Sequence, residues 1–180
     1  MKIITVVIAA VGLLIAAWPA SPVNEPALRA AIVARWRAYD GIRYVWGGEG
    51  RFGIDCSGLM RRGLIEAEVQ QGFRHENPAL LRAAFSFWWY DETAKEMGLG
   101  ARGFTRVIGQ AESLNALPPD HLLPGDLAVT RDGMHVLGYA GNGVWIEADP
   151  SEGKVIEVQL PSKSHWFNTP VTLVRWTAME

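Results

Sequence analysis

Cysteine is almost absent from this chain, since Cys56 is the only one among 180 residues. A single thiol excludes an internal disulfide and any zinc site built from several cysteines. Positive charge is also sparse: the formal net charge is −2, and no basic run is longer than Arg61-Arg62. This charge distribution argues against nucleic acid as a partner.

Long apolar runs are missing except at the N-terminus. Residues 3–18 are apolar apart from Thr5 and follow the single positive charge of Lys2. Sixteen residues are few for a membrane span, which takes about 20. We therefore predict a signal peptide at residues 1–20, and export to the periplasm, cell envelope or medium. Bulky Trp18 near the cleavage point leaves an uncleaved anchor as an alternative, and a buried helix of a cytoplasmic protein as another.

The remaining residues, 21–180, are expected to form one α+β domain. Helical patterns come first, at residues 26–39, from residue 56 to about 72, and around residues 85–97. Arg61 is expected to face solvent in the second of these helices. Apolar stretches bounded by Gly, Asn and Asp follow, and they predict an antiparallel sheet of about five strands at residues 127–130, 134–140, 144–148, 155–160 and 171–176.

Cys56 stands where a helix is expected to begin. Asp55 precedes it and is a good N-cap residue. Unpaired backbone N–H groups at a helix N-terminus favour a nearby anion, and the thiolate is the form of cysteine that attacks carbonyl carbon. The position predicts a nucleophile and a cysteine hydrolase, with an inert buried thiol as the alternative.

A nucleophilic cysteine needs a base, and His135 is the candidate among four histidines. It lies early in a predicted strand, where a rigid element holds geometry, and it alternates with Leu137 and Tyr139 on one face. His75, His121 and His165 lie in loops or turns.

Glu147 in the next strand is the candidate that orients His135, and its position depends on the turn at residues 141–143. If three residues form the loop, paired positions sum to 284, and Glu147 shares the face of His135. If only Asn142 and Gly143 turn, the sum is 285, and Glu147 points to the other face. The catalytic arrangement therefore requires a three-residue loop or an equivalent bulge.

Over roughly residues 27–180 the chain resembles the NlpC/P60 cysteine peptidases of bacterial cell walls, which belong to the papain-like superfamily. The matching blocks are Tyr44-Val45-Trp46-Gly47-Gly48, Asp55-Cys56-Ser57-Gly58-Leu59, Pro124-Gly125-Asp126-Leu127, His135-Val136, Tyr139-Ala140-Gly141-Asn142-Gly143 and Trp145-Ile146-Glu147-Ala148. The resemblance implies a papain-like fold with helices packed on the sheet. It also implies that Cys56 attacks, His135 is the base and Glu147, at a position where the family often has histidine, orients it.

The same resemblance implies roles for three residues near the nucleophile. The Tyr44 hydroxyl lies near the oxyanion in family members, and Asp55 and Ser57 help to hold the free amine of the substrate peptide. Two other readings are that Asp55 only caps its helix and that Tyr44 only packs. No metal or organic cofactor is needed for this chemistry.

The function implied is that of an exported, monomeric peptidoglycan hydrolase. It would cut an amide or isopeptide bond in the stem peptide, with γ-D-glutamyl–diamino acid as the expected bond. A non-catalytic module that binds cell-wall peptide is one alternative, and a thiol acyltransferase or amidase acting on a lipid or protein is another. An inhibitor or immunity protein would be a further partner if the chain is an antagonistic toxin.

The chain departs from the family between its nucleophile and its base, since Cys56 and His135 are 79 residues apart. We expect a helical, aromatic-rich insertion around residues 73–115, which contains Trp88 and Trp89. This insertion would serve as a lid, a glycan platform, a docking surface or additional core. Most of the eight tryptophans are expected to fill the core.

Overall fold

The computed structural model describes residues 22–118 and 121–179, so the predicted export segment at residues 1–20 lies outside the described residues. Four α-helices are present in this range: α1 (Glu25–Arg37), α2 (Cys56–Arg74), α3 (Pro78–Trp89) and α4 (Ala94–Leu99). Two short strands, β1 (Glu49–Gly50) and β2 (Gly53–Ile54), pair just before α2. No helix within these residues has the length and apolar character needed to cross a bilayer.

Six further strands form one antiparallel sheet, which confirms the α+β class. Their order across the sheet is β3-β8-β4-β5-β6-β7. The strands are β3 (Thr105–Ala111), β4 (Leu127–Thr130), β5 (Val136–Gly141), β6 (Val144–Asp149), β7 (Lys154–Gln159) and β8 (Val171–Trp176).

Strand β3 is the strand of this sheet that the sequence did not predict, and the short strands β1 and β2 were not predicted either. Strand β3 lies at the edge of the sheet, and only Thr105 among its residues is buried. An edge strand with little buried surface lacks the alternation that marks a strand in sequence. The helical part of the segment expected at residues 73–115 therefore ends at α4.

The single helix expected at residues 85–97 is also interrupted. Helix α3 ends at Trp89, and α4 begins after Thr93, whose side chain and Glu96 cap each other's backbone N–H groups. This capping box starts a new helix at Ala94, so the apolar pattern at residues 85–97 belongs to two helices and not to one.

The helices and the sheet enclose the core on one face of the sheet, where α1 and α2 pack tightly. A side chain at Gly63 of α2 would meet the Trp36 ring of α1 at 2.2 Å, so only glycine permits this approach. On the other face, Leu137, Tyr139 and Trp145 pack with residues of the loops that include Leu114 and Phe167. The nucleophile helix is thus fixed against one side of the sheet.

Tryptophan burial differs from the sequence expectation. Trp36, Trp145 and Trp176 are fully buried. Trp46, Trp88 and Trp89 are instead exposed. Exposed tryptophan serves recognition more often than stability, so these three residues require a separate explanation.

Candidate active site

The turn between β5 and β6 decides on which face Glu147 lies. At the turn, Gly141 pairs with Val144, whereas further back Tyr139 pairs with Trp145 and Gly138 with Ile146. The register therefore shifts by one residue between Tyr139 and Gly141. Asn142 and Gly143 form the turn with positive φ values of 53° and 75°, and Gly141 has a φ of 97°. A bulge in β5 precedes the two-residue turn, and this bulge brings Glu147 to the His135 face.

His135 and Glu147 form a buried pair. His135 Nε2 lies 2.6 Å from Glu147 Oε2. His135 precedes β5 by one residue and is held by its backbone, because its N–H donates to Thr130 Oγ1 and its carbonyl accepts from Thr130 N, both at 3.0 Å. The strand end therefore fixes the imidazole at a rigid position.

Cys56 is the second hydrogen-bond partner of the His135 side chain. Burial by itself would lower the pKa of His135, but the hydrogen bonds and charges of Cys56 and Glu147 outweigh it and raise the pKa to about 9. Burial raises the pKa of the Glu147 carboxyl, and the bond to His135 opposes this rise. The arrangement favours the protonated form of the imidazole.

Trp166 covers the His135 ring, and the sequence analysis did not identify it. The two ring centroids are 4.3 Å apart, with the planes 25° from parallel. Trp166 lies in a short 3-10 helix (His165–Asn168). The side-chain amide of Asn168 stabilises this helix by donating to the carbonyls of Ser162 and Ser164. A flat ring over the imidazole excludes water and stabilises its cationic form. No sequence signal pointed to this contact, since it depends on a loop 31 residues downstream.

Asp55 joins the start of α2 to the glycine loop before it. Its Oδ1 accepts from Gly58 N at 2.7 Å and from Ser57 Oγ at 3.0 Å, and its Oδ2 accepts from Gly47 N at 2.8 Å. Asp55 is thus the N-cap of the nucleophile helix and holds the loop that borders Cys56. A Cβ at Gly58 would lie 2.3 Å from Gly48 O, so this close approach requires glycine.

Tyr44 lies in the same cleft as Cys56. Burial, with the negative charges of Cys56 and Asp55, raises the pKa of the Tyr44 hydroxyl to about 12. The hydroxyl therefore stays protonated at neutral pH and can donate a hydrogen bond. Such a donor suits a developing oxyanion.

The cleft has a volume of about 360 Å³ and brings together Tyr44, Asp55, Cys56 and Ser57. Its other walls include the exposed residues Trp46, Glu49, Trp88, Asp91 and Met134 and the buried residues Arg61 and Glu92. Among the described residues, no group of three or more His, Cys, Asp or Glu is arranged to hold a metal ion.

Arg61 is buried, which corrects the expectation that it faces solvent. Its guanidinium forms ion pairs with Glu49 and, at 2.9 Å, with Asp91. It also donates to the carbonyls of Phe87 and Tyr90, both at 3.3 Å. These partners compensate the buried charge, and they attach the end of α3 to α2.

Comparison with known proteins places this geometry in a family. The model of the NlpC/P60 family matches residues 41–175, which confirms the resemblance seen in the sequence. No curated protein matched the chain.

Solved structures share the fold. NlpC1 from Trichomonas vaginalis has a TM-score of 0.56 at 20% identity, with 89% of this chain and 48% of that chain covered. NlpC2 from the same organism has a TM-score of 0.52 at 21% identity, with 86% and 48% covered. The peptidoglycan hydrolase RipB from Mycobacterium tuberculosis has a TM-score of 0.52 at 22% identity, with 88% and 69% covered. The chain spans about half the length of the two T. vaginalis proteins.

Proposed function

The chain belongs to the NlpC/P60 family, and on that premise we propose that it hydrolyses an amide or isopeptide bond in the stem peptide of peptidoglycan. One observation supports this most strongly. Cys56 begins α2 and interacts with the buried His135 imidazole, which also contacts Glu147 at 2.6 Å. A sulfur nucleophile, a base and an orienting carboxylate are the groups that acyl transfer requires.

In the proposed mechanism, the Cys56 thiolate attacks the scissile carbonyl carbon. The Cys56 backbone N–H and the Tyr44 hydroxyl stabilise the oxyanion. The His135 imidazolium then gives its proton to the leaving nitrogen as the C–N bond breaks, which releases an amine and leaves a thioester. Water attacks the thioester while His135 takes its proton, and the sulfur departs as the carboxylate product forms.

The charge of the cleft supports a substrate that carries an amine. Asp55, Asp91 and Glu49 border the cleft, and Arg61, the cation among the residues that line it, is already paired. We therefore include Asp55 and Ser57 as contacts of the amine of the stem peptide. Asp55 Oδ2 has one internal donor, Gly47 N, and a carboxylate oxygen accepts two hydrogen bonds. The γ-D-glutamyl–diamino acid bond is the proposed site of cleavage.

A direct test uses the purified protein and defined muropeptides, with the products identified by mass spectrometry. We expect new peptide fragments from the native protein and none from Cys56→Ala. Cleavage that persists in Cys56→Ala, or no cleavage by a protein whose thiol reacts normally with iodoacetamide, would overturn the proposal. Acyl transfer to an added amine without hydrolysis would identify a transferase instead.

We also propose that the protein acts outside the cytoplasm as a monomer, with residues 1–20 serving as an export signal or anchor. The apolar run after Lys2 supports this proposal. Fusing residues 1–25 to a reporter that is active only after export tests it. Activity of the fusion is the expected result, and a cytoplasmic, inactive fusion would contradict it.

A further inference from the structure

Three exposed aromatic side chains, Phe85, Trp88 and Trp89, form a continuous surface on α3, which we call the aromatic patch. They are 61%, 54% and 67% exposed. Their ring centroids lie 5.9 Å apart for Phe85–Trp88, 6.2 Å for Phe85–Trp89 and 6.4 Å for Trp88–Trp89. The three positions share a helix face, with spacings of three and four residues. Contiguous exposed rings of this kind mark a binding surface.

The aromatic patch is continuous with the catalytic cleft, because Trp88 lines the cleft together with Tyr44 and Asp55. A ligand that occupies the cleft and extends past Trp88 therefore reaches Phe85 and Trp89. The patch is an extension of the substrate site rather than a separate surface.

The patch is held rigidly relative to the nucleophile. Phe87, on the opposite face of α3, is buried against Phe104 and Trp176, with centroids 4.8 Å and 5.3 Å away. Arg61, five residues after Cys56 on α2, donates to the carbonyls of Phe87 and Tyr90. Because the same helix carries Cys56 and the arginine that holds α3, the rings are positioned before any ligand arrives.

We propose that the aromatic patch binds a sugar of the glycan strand, so that the preferred substrate is a stem peptide still joined to its sugar. This inference rests on the proposed function and names the form of its substrate. The sugar is linked covalently to the N-terminal end of the stem peptide, so a peptide in the cleft brings its sugar to a neighbouring surface. Pyranose rings present apolar C–H faces that stack on aromatic rings, while their polar edges stay in water.

Charge favours a sugar over a lipid surface. The carboxylates of Glu49, Asp55 and Asp91 in the cleft beside the patch outnumber its cation, Arg61, and Asp91 is 87% exposed. Anionic bilayers attract basic segments and repel this acidic rim. N-acetylated sugars carry no charge and meet no such penalty.

Asp55 is compatible with a peptide that carries a sugar. Joining the N-terminal nitrogen to the sugar's lactyl group converts the amine into an amide, which keeps one N–H. That N–H can donate to Asp55 Oδ2, whose internal donor is Gly47 N. The preference for the sugar-linked form then comes from the aromatic patch.

The test compares two substrates of identical peptide sequence, one carrying its disaccharide and one with a free N-terminus. We expect Trp89→Ala and Phe85→Ala to lower kcat/KM for the sugar-linked substrate by about tenfold each, the size expected for loss of one stacked ring. Hydrolysis of the free peptide should change by less than about twofold. Trp89→Leu keeps apolar area but loses the flat ring, and it should behave like Trp89→Ala. Phe73→Ala removes an aromatic ring that is 71% exposed and does not line the cleft, so it is the matched control.

A second measurement separates this inference from the proposed hydrolysis. An uncharged oligomer of N-acetylglucosamine is titrated into Cys56→Ala protein and followed by tryptophan fluorescence. Trp89→Ala should abolish the response. Equal losses on both peptide substrates, or no glycan response, would overturn the inference while hydrolysis stands. Binding to phosphatidylglycerol vesicles instead of glycan, lost in Trp89→Ala, would also overturn it. Glycan binding without hydrolysis of either peptide would refute the proposed function and leave the sugar site in place.

Discussion

His135 Nε2 lies 2.6 Å from Glu147 Oε2, and the two side chains are 1% and 0% exposed. A carboxylate at this distance fixes the orientation of the imidazole and stabilises its protonated form. Since water is excluded, the interaction is stronger than the same pair would be at the surface. The pair is therefore expected to set both the activity and its dependence on pH.

Glu147→Gln keeps a hydrogen-bonding group beside His135 but removes the negative charge. Since the Glu147 charge is one of the causes that raise the pKa of His135 to about 9, its loss lowers that pKa. The imidazolium then loses its proton at lower pH, and the alkaline limb of the kcat/KM profile should move down by about one unit or more. We expect kcat at pH 7 to fall by about tenfold or more. A profile that keeps its alkaline limb near pH 9 would show that Glu147 does not act on His135.

Tyr44→Phe removes a hydroxyl that stays protonated, because its pKa is raised to about 12. If the hydroxyl donates to the oxyanion, kcat should fall by about 100-fold, with little change in KM. Tyr39→Phe is the control, since it loses a hydroxyl that bonds Glu66 at 2.7 Å and does not line the cleft. Equal kcat values for native protein and Tyr44→Phe would restrict Tyr44 to packing.

Trp166→Ala uncovers the His135 ring, whereas Trp166→Phe keeps an aromatic ring over it. Entry of water weakens the stabilisation of the imidazolium, so we expect Trp166→Ala to lower kcat by about tenfold and to move the alkaline limb to lower pH. Trp166→Phe should retain most of both properties. Unfolding midpoints of both variants, measured together with the kinetics, distinguish an effect on His135 from a loss of stability. Similar pH profiles for the two variants would argue against a role in protecting the base.

Glu68 on α2 is buried, and its Oε2 has no hydrogen-bond partner among the described residues. Burial raises its pKa to about 8. At pH values between the ordinary pKa of a glutamate and this raised pKa, the unfolded chain has released the proton while the native state still holds it. The free energy of unfolding therefore falls as pH rises. Glu68→Gln removes this penalty and should raise the free energy of unfolding by about 3 kcal/mol at pH 7, with no gain below about pH 4.5.

Denaturant unfolding at several pH values measures this effect, and hydrolysis rates should stay unchanged. Glu157→Gln is the control, because Glu157 is exposed and pairs with Arg37 at 3.1 Å. It should change stability by less than about 1 kcal/mol at any pH. A gain for Glu68→Gln that is equal at pH 4 and pH 7 would contradict the argument.

Features governed by local chemistry were predictable from sequence. Asp55 as a cap and Cys56 as the first helical residue depend on a few adjacent groups, and the structure places both as expected. The five strands after residue 124 are bounded by turn residues and carry clear apolar patterns, and each is present. The edge strand β3 lacked that pattern and was taken for part of a helical segment.

The arrangement of groups from distant parts of the chain was decided only by the tertiary structure. The bulge at Gly141 selects the face of Glu147, and two neighbouring registers were equally open in the sequence. Arg61 is buried because carbonyls of α3 and two acidic side chains surround it, and Trp166 covers His135 because a distant loop folds back. Sequence determines where helices and strands begin because those signals act within a few residues. Burial and contact across the fold depend on groups that meet only after the chain has packed.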